Sequence, residues 1–321
     1  MNMGKNEWIY TKVEEMDVRE VTIDSGKGGE AAVIVQITDL HYNKCLESDL
    51  KNPVLASTYQ GRKWLADGKS VPRVRECLDY ADSVSPDMIV ITGDVLDYLS
   101  DGAIELLRTE IWDRYRDESG EVKGILIALG GHEVTRHMQA SPDIKDPTSF
   151  ESRMQILESV WEHDVYYTSR VIGEKAMVIV LDNGTKNGFW ECQREPLLRD
   201  LALAREKGYA VLIFGHDPLC TYNPNETEVY ASMVGDPKGA RRNFSALGVG
   251  SSRADDITKE IYSIIVNNAD VIKGIFVGHY HNDFYTEIVA KTHDGEDTVI
   301  PQYVLIGTPY GKGNALKITV K

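Results

Sequence analysis

Five short runs in this chain carry residue types that could hold a metal ion or move a proton. They are Asp39-Leu40-His41, Gly93-Asp94-Val95-Leu96-Asp97, Gly130-Gly131-His132-Glu133, Gly215-His216-Asp217-Pro218 and Gly278-His279-Tyr280-His281. Asp39 and His41 stand two residues apart, so in an extended segment they point to one face. A carboxylate and an imidazole converging in this way are the beginning of a metal site. Five of the eight histidines fall in these runs; the others are His137, His163 and His293. Taken singly, each run has a bland reading: a Gly-Asp is a turn, and a His-x-His is a surface pair. All five in one chain, each behind an apolar stretch, argue for a common site.

The elements that must position these runs can be read from the same sequence. Apolar, mostly β-branched stretches at 33–38, 88–92, 124–129, 210–214 and 274–277 precede them and predict buried strands. Gly93, Gly130, Gly215 and Gly278 stand where a chain leaving a strand must turn sharply and pass close to a neighbour. Sheets of this kind place their sites at strand ends, so five such ends can meet at one spot. Between them the spacing predicts a hairpin over 8–23, a flexible turn at 25–29 and a helix from Pro72 to about Ser83. Further helices are predicted near 101–116, 150–162, 195–207 and 255–266, with a strand at 176–181. The tail predicts β segments at 283–290, 298–306 and 315–320. Sheet layers flanked by helices in a single domain, 1–321, follow from this order. Two long stretches of weak periodicity, 42–71 and 221–252, read as loops over a site.

Composition narrows the function. With 321 residues and 42% hydrophobic content the chain can bury a sizeable core. The formal net charge of −15 repels phosphate backbones, which disfavours nucleic acid as the main partner, and Arg241-Arg242 reads as a solvated turn. Cys45, Cys77, Cys192 and Cys220 lack CxxC spacing and read as free thiols in a reducing compartment. Met1 to Lys12 show no apolar signal region, and no apolar run approaches the ~20 residues of a membrane span. A cytoplasmic location is the expectation.

In order and spacing, the five runs resemble the motif set of the calcineurin-like metallophosphoesterases, over residues 33 to about 281. The resemblance implies an α/β (α+β) four-layer sandwich of two mixed β-sheets flanked by α-helices. It implies two divalent or trivalent metal ions, of the Mn, Fe, Zn or Ni type, and hydrolysis of a small phosphorylated substrate, either a phosphomonoester or a phosphodiester. By position, Asp39, His41 and His281 would hold one metal, Asp94 would bridge both, and His216 and His279 would hold the second. His132 would be the general acid at the leaving group, with Asp97 orienting it through a hydrogen bond. The chain departs from the family pattern at Gly131, where the family carries an Asn whose carbonyl binds the second metal. The expectation is a weaker second site. Tyr98 stands where the Ser/Thr protein phosphatases of the superfamily carry Arg, which disfavours that branch. Two alternatives compete with the phosphoesterase reading: a metal-impaired binding module and a nuclease of the same superfamily. The oligomeric state is left open.

Overall fold

The predicted strands form, and the order in which they pair brings the motif-bearing ends together. The computed structural model describes residues 9–13, 16–63, 70–134, 149–220, 254–309 and 313–321. The expected loop at 221–252, Arg241-Arg242 and His137 lie outside the described residues. One sheet contains β1 (Ile9–Val13), β2 (Met16–Ile23), β3 (Ala32–Ile37), β4 (Met88–Thr92), β5 (Ile125–Ala128) and β12 (Asn314–Val320), in the order β1-β2-β12-β3-β4-β5. The other contains β6 (Tyr167–Ile172), β7 (Ala176–Leu181), β8 (Ala210–Phe214), β9 (Ile272–Val277), β10 (Phe284–Lys291) and β11 (Asp297–Val304), in the order β10-β11-β9-β8-β7-β6. Both sheets are mixed. β3, β4 and β5 are mutually parallel, as are β7, β8 and β9, while β12 runs antiparallel to β3 and β6 antiparallel to β7.

The continuous apolar runs are explained by burial on both strand faces. In β4, Val90 enters the layer between the sheets, whereas Ile89 and Ile91 pack under the outer helices; β8 divides Leu212 from Val211 and Ile213 in the same way. Phe276 stacks between Phe214 and Tyr303 in the inter-sheet layer. The outer face of the first sheet is covered by α2 (Ser70–Val84), α3 and α4 (Phe150–Val160). Here α3 comprises Asp101–Leu106, a π-helical stretch Leu107–Trp112, and Asp113–Tyr115. The second sheet carries α5 (Arg194–Lys207) and α6 (Asp256–Val266). The result is the four-layer sandwich that the resemblance implied.

Three local outcomes differ from the sequence reading. The stretch 42–71 contains a helix, α1 (Pro53–Gly61), capped by Asn52, whose side chain accepts from the Val54 N–H. It buries only Val54 and Thr58, so its apolar periodicity is faint. Strand β6 was not anticipated, because as an edge strand with four of its six residues partly buried or exposed it never presents a continuous apolar run. Helix α2 begins at Ser70, with Pro72 in its first turn.

Candidate metal centre and active site

Five strand ends meet because the loops that follow them hydrogen-bond to one another. Asp39 and His41 donate their N–H groups to the carbonyls of Gly93 and Asp94, at 3.0 and 2.9 Å. The Gly278 N–H reaches the His216 carbonyl at 3.0 Å. Such tight crossings require unusual backbone. Asp39, His41, Asp94, His279 and His281 all have φ between 47° and 73°, in the left-handed region, and only three other non-glycine residues among those described do so. Each such residue is strained by roughly 1–3 kcal/mol, and strain of this kind persists where the surroundings over-determine it. Two glycines make room for the carboxylates. A Cβ on Gly130 would lie 2.2 Å from Oδ1 of Asp94, and one on Gly278 would lie 2.3 Å from Oδ2 of Asp39.

Among the described residues the side chains gather into three groups: two share Asp94, and the third joins His41, Asp97 and His132. Ligand atoms of Asp39, His41, Asp94 and His281 lie within 4.8 Å of one another, and so do those of Asp94, His216 and His279. In the first group, Nε2 of His281 is 3.2 Å from Oδ1 of Asp39 and 3.0 Å from Nε2 of His41. In the second, Nε2 of His216 is 3.1 Å from Oδ2 of Asp94 and 3.2 Å from Nδ1 of His279.

The donor set fits cations. A carbonyl or carboxylate can only accept, so its imidazole partner must carry the proton on the contacting nitrogen. Nδ1 of His216 contacts the Thr92 carbonyl at 2.8 Å, and Nδ1 of His41 contacts Oδ1 of Asp97 at 2.9 Å. Both rings therefore turn Nε2 toward the shared space, the arrangement that outer hydrogen bonds impose on metal-binding histidines. Asp39 spends Oδ2 on the Thr38 hydroxyl and the His279 N–H, while its buried Oδ1 has no hydrogen-bond partner and faces His281. An orphaned carboxylate oxygen aimed at two imidazole nitrogens suits a divalent ion.

Electrostatics point the same way. Burial alone would raise the Asp39 carboxyl, but the imidazoles of His281 and His216 hold it at about 2. Asp94 is likewise opposed by burial, yet His216 and His132 hold it well below the ordinary carboxylate range. Burial works against a charged His216, and the attraction of Asp94 overrides it, raising its proton affinity well above that of a free imidazole. The field around Nε2 of His216 favours positive charge.

His132 stands at the rim, its side chain 12% exposed, with Nε2 3.9 Å from Oδ2 of Asp94. Its contact to Asp97 differs in kind from the expected one. Nδ1 of His132 donates to the Asp97 main-chain carbonyl at 2.7 Å, and the nearer carboxylate oxygen is 3.5 Å away. The carboxylate is already engaged by Nδ1 of His41, by Nδ2 of Asn43 at 2.6 Å and by Nε of Arg62 at 2.6 Å. Burial opposes the Asp97 charge, but His41 and Arg62 keep the group at about 2. Asn43 in turn accepts from the hydroxyl of the fully buried Tyr98.

Sequence reasoning did not assign Asn43, Arg62, Glu133 or Asn183. Arg62 comes from the weakly patterned 42–71 stretch, which gave no signal for it. Asn183 follows β7, and its Oδ1 accepts from the N–H groups of both His216 and Asp217. Glu133 was visible beside His132 but had no role. Its fully buried carboxyl group accepts from the N–H groups of Val95, Leu96 and Gly130, bracing the Asp94 loop against the His132 loop. Burial and the nearby Asp94 carboxylate push the Glu133 carboxyl up to about 8.

Glu133→Gln tests this brace. The amide nitrogen cannot accept, so one N–H is left facing a donor, at a cost of about 1–3 kcal/mol. Urea unfolding should register that loss of stability. An unchanged midpoint and slope would show that the two loops do not depend on this contact.

The comparisons with known proteins come to bear on this geometry. Residues 32–283 match the family described as calcineurin-like phosphoesterase. No curated protein sequence matches the chain. Among solved structures, the chain is similar to a dimetal phosphatase from Danio rerio at 15% identity, covering 87% of this chain and 88% of that one, with a TM-score of 0.44. It is also similar to a purple acid phosphatase from yellow lupin (Lupinus luteus) seeds at 12% identity, covering 90% of this chain and 46% of that one, with a TM-score of 0.45. A match that spans most of the chain and includes all five runs establishes that this chain belongs to the calcineurin-like phosphoesterase family.

Proposed function

We propose that this chain hydrolyses the ester bond of a small phosphorylated substrate with the help of two divalent or trivalent metal ions. The observation that carries the reading is that Asp94 belongs to both ligand groups. Asp39, His41 and His281 would complete the first site, and His216 and His279 the second. When bound, such a pair supplies Lewis acidity toward phosphoryl oxygens and lowers the pKa of water. The His and Asp donors suit Mn, Fe, Zn or Ni. The layer of side chains shared by both sheets supports a single domain, and the four free cysteines suit a reducing, cytoplasmic setting.

The chain's own residues supply positioning and the proton. The Asp97 carbonyl holds Nδ1 of His132 and so fixes its ring, leaving Nε2 toward the partly open rim. A protonated Nε2 there can pass its proton to the departing ester oxygen as the bond to phosphorus breaks. The Asp97 carboxylate orients His41 through Nδ1, which makes Asp97 a positioning residue for a ligand as well as for His132. The net charge of −15 argues against a nucleic-acid substrate.

Asp94→Asn should lose most bound metal and nearly all hydrolysis of p-nitrophenyl phosphate and its diester analogue, because an amide is a poor bridge. Metal counting by mass spectrometry alongside both assays checks this, and near-normal turnover would refute the bridging role.

For His132→Ala we expect two intact metals and a kcat lowered by about 10²–10⁴-fold. The deficit should shrink for substrates with good leaving groups, which depart without a proton. A variant that lost metal instead would place His132 among the ligands.

A further inference from the structure

The second ligand group has one member fewer than the first, and Gly131 has no side chain to make up the difference. A carboxylate stands beside one member of that group, His279. Asp217 directly follows His216, and its side chain is 7% exposed. Its Oδ2 accepts from Nδ2 of Asn187, whereas its Oδ1 is buried without a hydrogen-bond partner, 3.5 Å from Nδ1 of His279. Among the described residues, this orphaned state is shared by only one other carboxylate oxygen, Oδ1 of Asp39, which faces the first group. A buried anion left half-satisfied is costly unless something positive meets it.

The distance is informative. For ligands about 2.0–2.2 Å from a zinc-sized ion, neighbouring donor atoms lie roughly 3.0–3.5 Å apart, as simple geometry on those bond lengths requires. Oδ1 of Asp217 and Nδ1 of His279 are separated by that edge length. The Asp217 main chain is also fixed, its N–H donating to Oδ1 of Asn183 and its carbonyl accepting from Nδ2 of the same residue. The carboxylate is in reach of His279 but does not lie within 4.8 Å of all three of Asp94, His216 and His279, so it would join an ion there through a side-chain adjustment.

We propose that Asp217 is the fourth protein ligand of the second metal and replaces, from the neighbouring loop, the donor that Gly131 lacks. This rests on the binuclear reading above. It revises the expectation of a weak second site, because an anionic oxygen takes the place of a neutral one.

The test is a calorimetric titration of metal-free protein with zinc, with metal counting, for wild type, Asp217→Asn, Gly131→Asn and the double variant. Wild type should take up two ions. Asp217→Asn should weaken one of them by on the order of tenfold or more and leave the other unchanged. Gly131→Asn should change wild type little and restore much of the loss in the Asp217→Asn background. Two affinities equal to wild type in a folded Asp217→Asn protein would overturn the proposal alone. A wild type that binds a single ion would overturn the binuclear reading and this proposal with it. If Asp217→Asn fails to fold, a crystal structure of the zinc-loaded wild type decides. It should place an Asp217 oxygen about 2.0–2.2 Å from the second ion, and an Asp217 still bound only to Asn187 would overturn the proposal.

Discussion

The structure of the site depends on the placement of a single carboxylate, that of Asp94. It sits where the ends of the two sheets meet, with Oδ1 accepting from the His132 N–H and Oδ2 beside His216. Every neighbour accommodates it. Gly130 has no Cβ because one would overlap it, Glu133 braces the loop that carries it, and the Asp94 residue itself adopts a left-handed backbone. A buried anion in such a position must be balanced. The imidazoles around it provide part of that balance, and the two ligand groups that share it offer room for more positive charge.

The rest of the fold can be understood as the scaffold that holds this point. Parallel strands β3, β4 and β5 deliver three loops from one sheet, and β8 and β9 deliver two from the other. Their side chains alternate between an inter-sheet core and cores beneath the helices, so neither sheet can slide without unpacking two layers. Outer hydrogen bonds then set the imidazole tautomers: Asp97 for His41, the Thr92 carbonyl for His216. The strain at five left-handed residues is held by main-chain bonds between loops, such as those from Asp39 to Gly93 and from Gly278 to His216.

Much of this was legible in the sequence because the informative signals were local. A β-branched run followed by Gly-Asp or Gly-His identifies both the strand and the residue at its end. The eight residues proposed from the motifs lie together, and each of them, Asp97 and His132 included, contacts another member directly. What the sequence could not reveal was long-range or conformational. Arg62 reaches Asp97 from 35 positions away, out of a stretch without periodicity. Left-handed φ at Asp39 or His281 leaves no compositional trace, since these are not glycines. The contact of His132 with a main-chain carbonyl rather than the Asp97 carboxylate depends on which donors reached that carboxylate first. Asp217 was present in a motif run, but the free oxygen that distinguishes it appears only once Asn187 and His279 are in place.

The central claim is that two cations share the Asp94 carboxylate. Electron paramagnetic resonance of the protein loaded with two equivalents of Mn²⁺ tests it directly, because ions joined by a bridging carboxylate are magnetically coupled. The account predicts the spectrum of an exchange-coupled pair at two equivalents, distinct from the six-line signal of an isolated ion. Isolated-ion spectra at every metal ratio would contradict it.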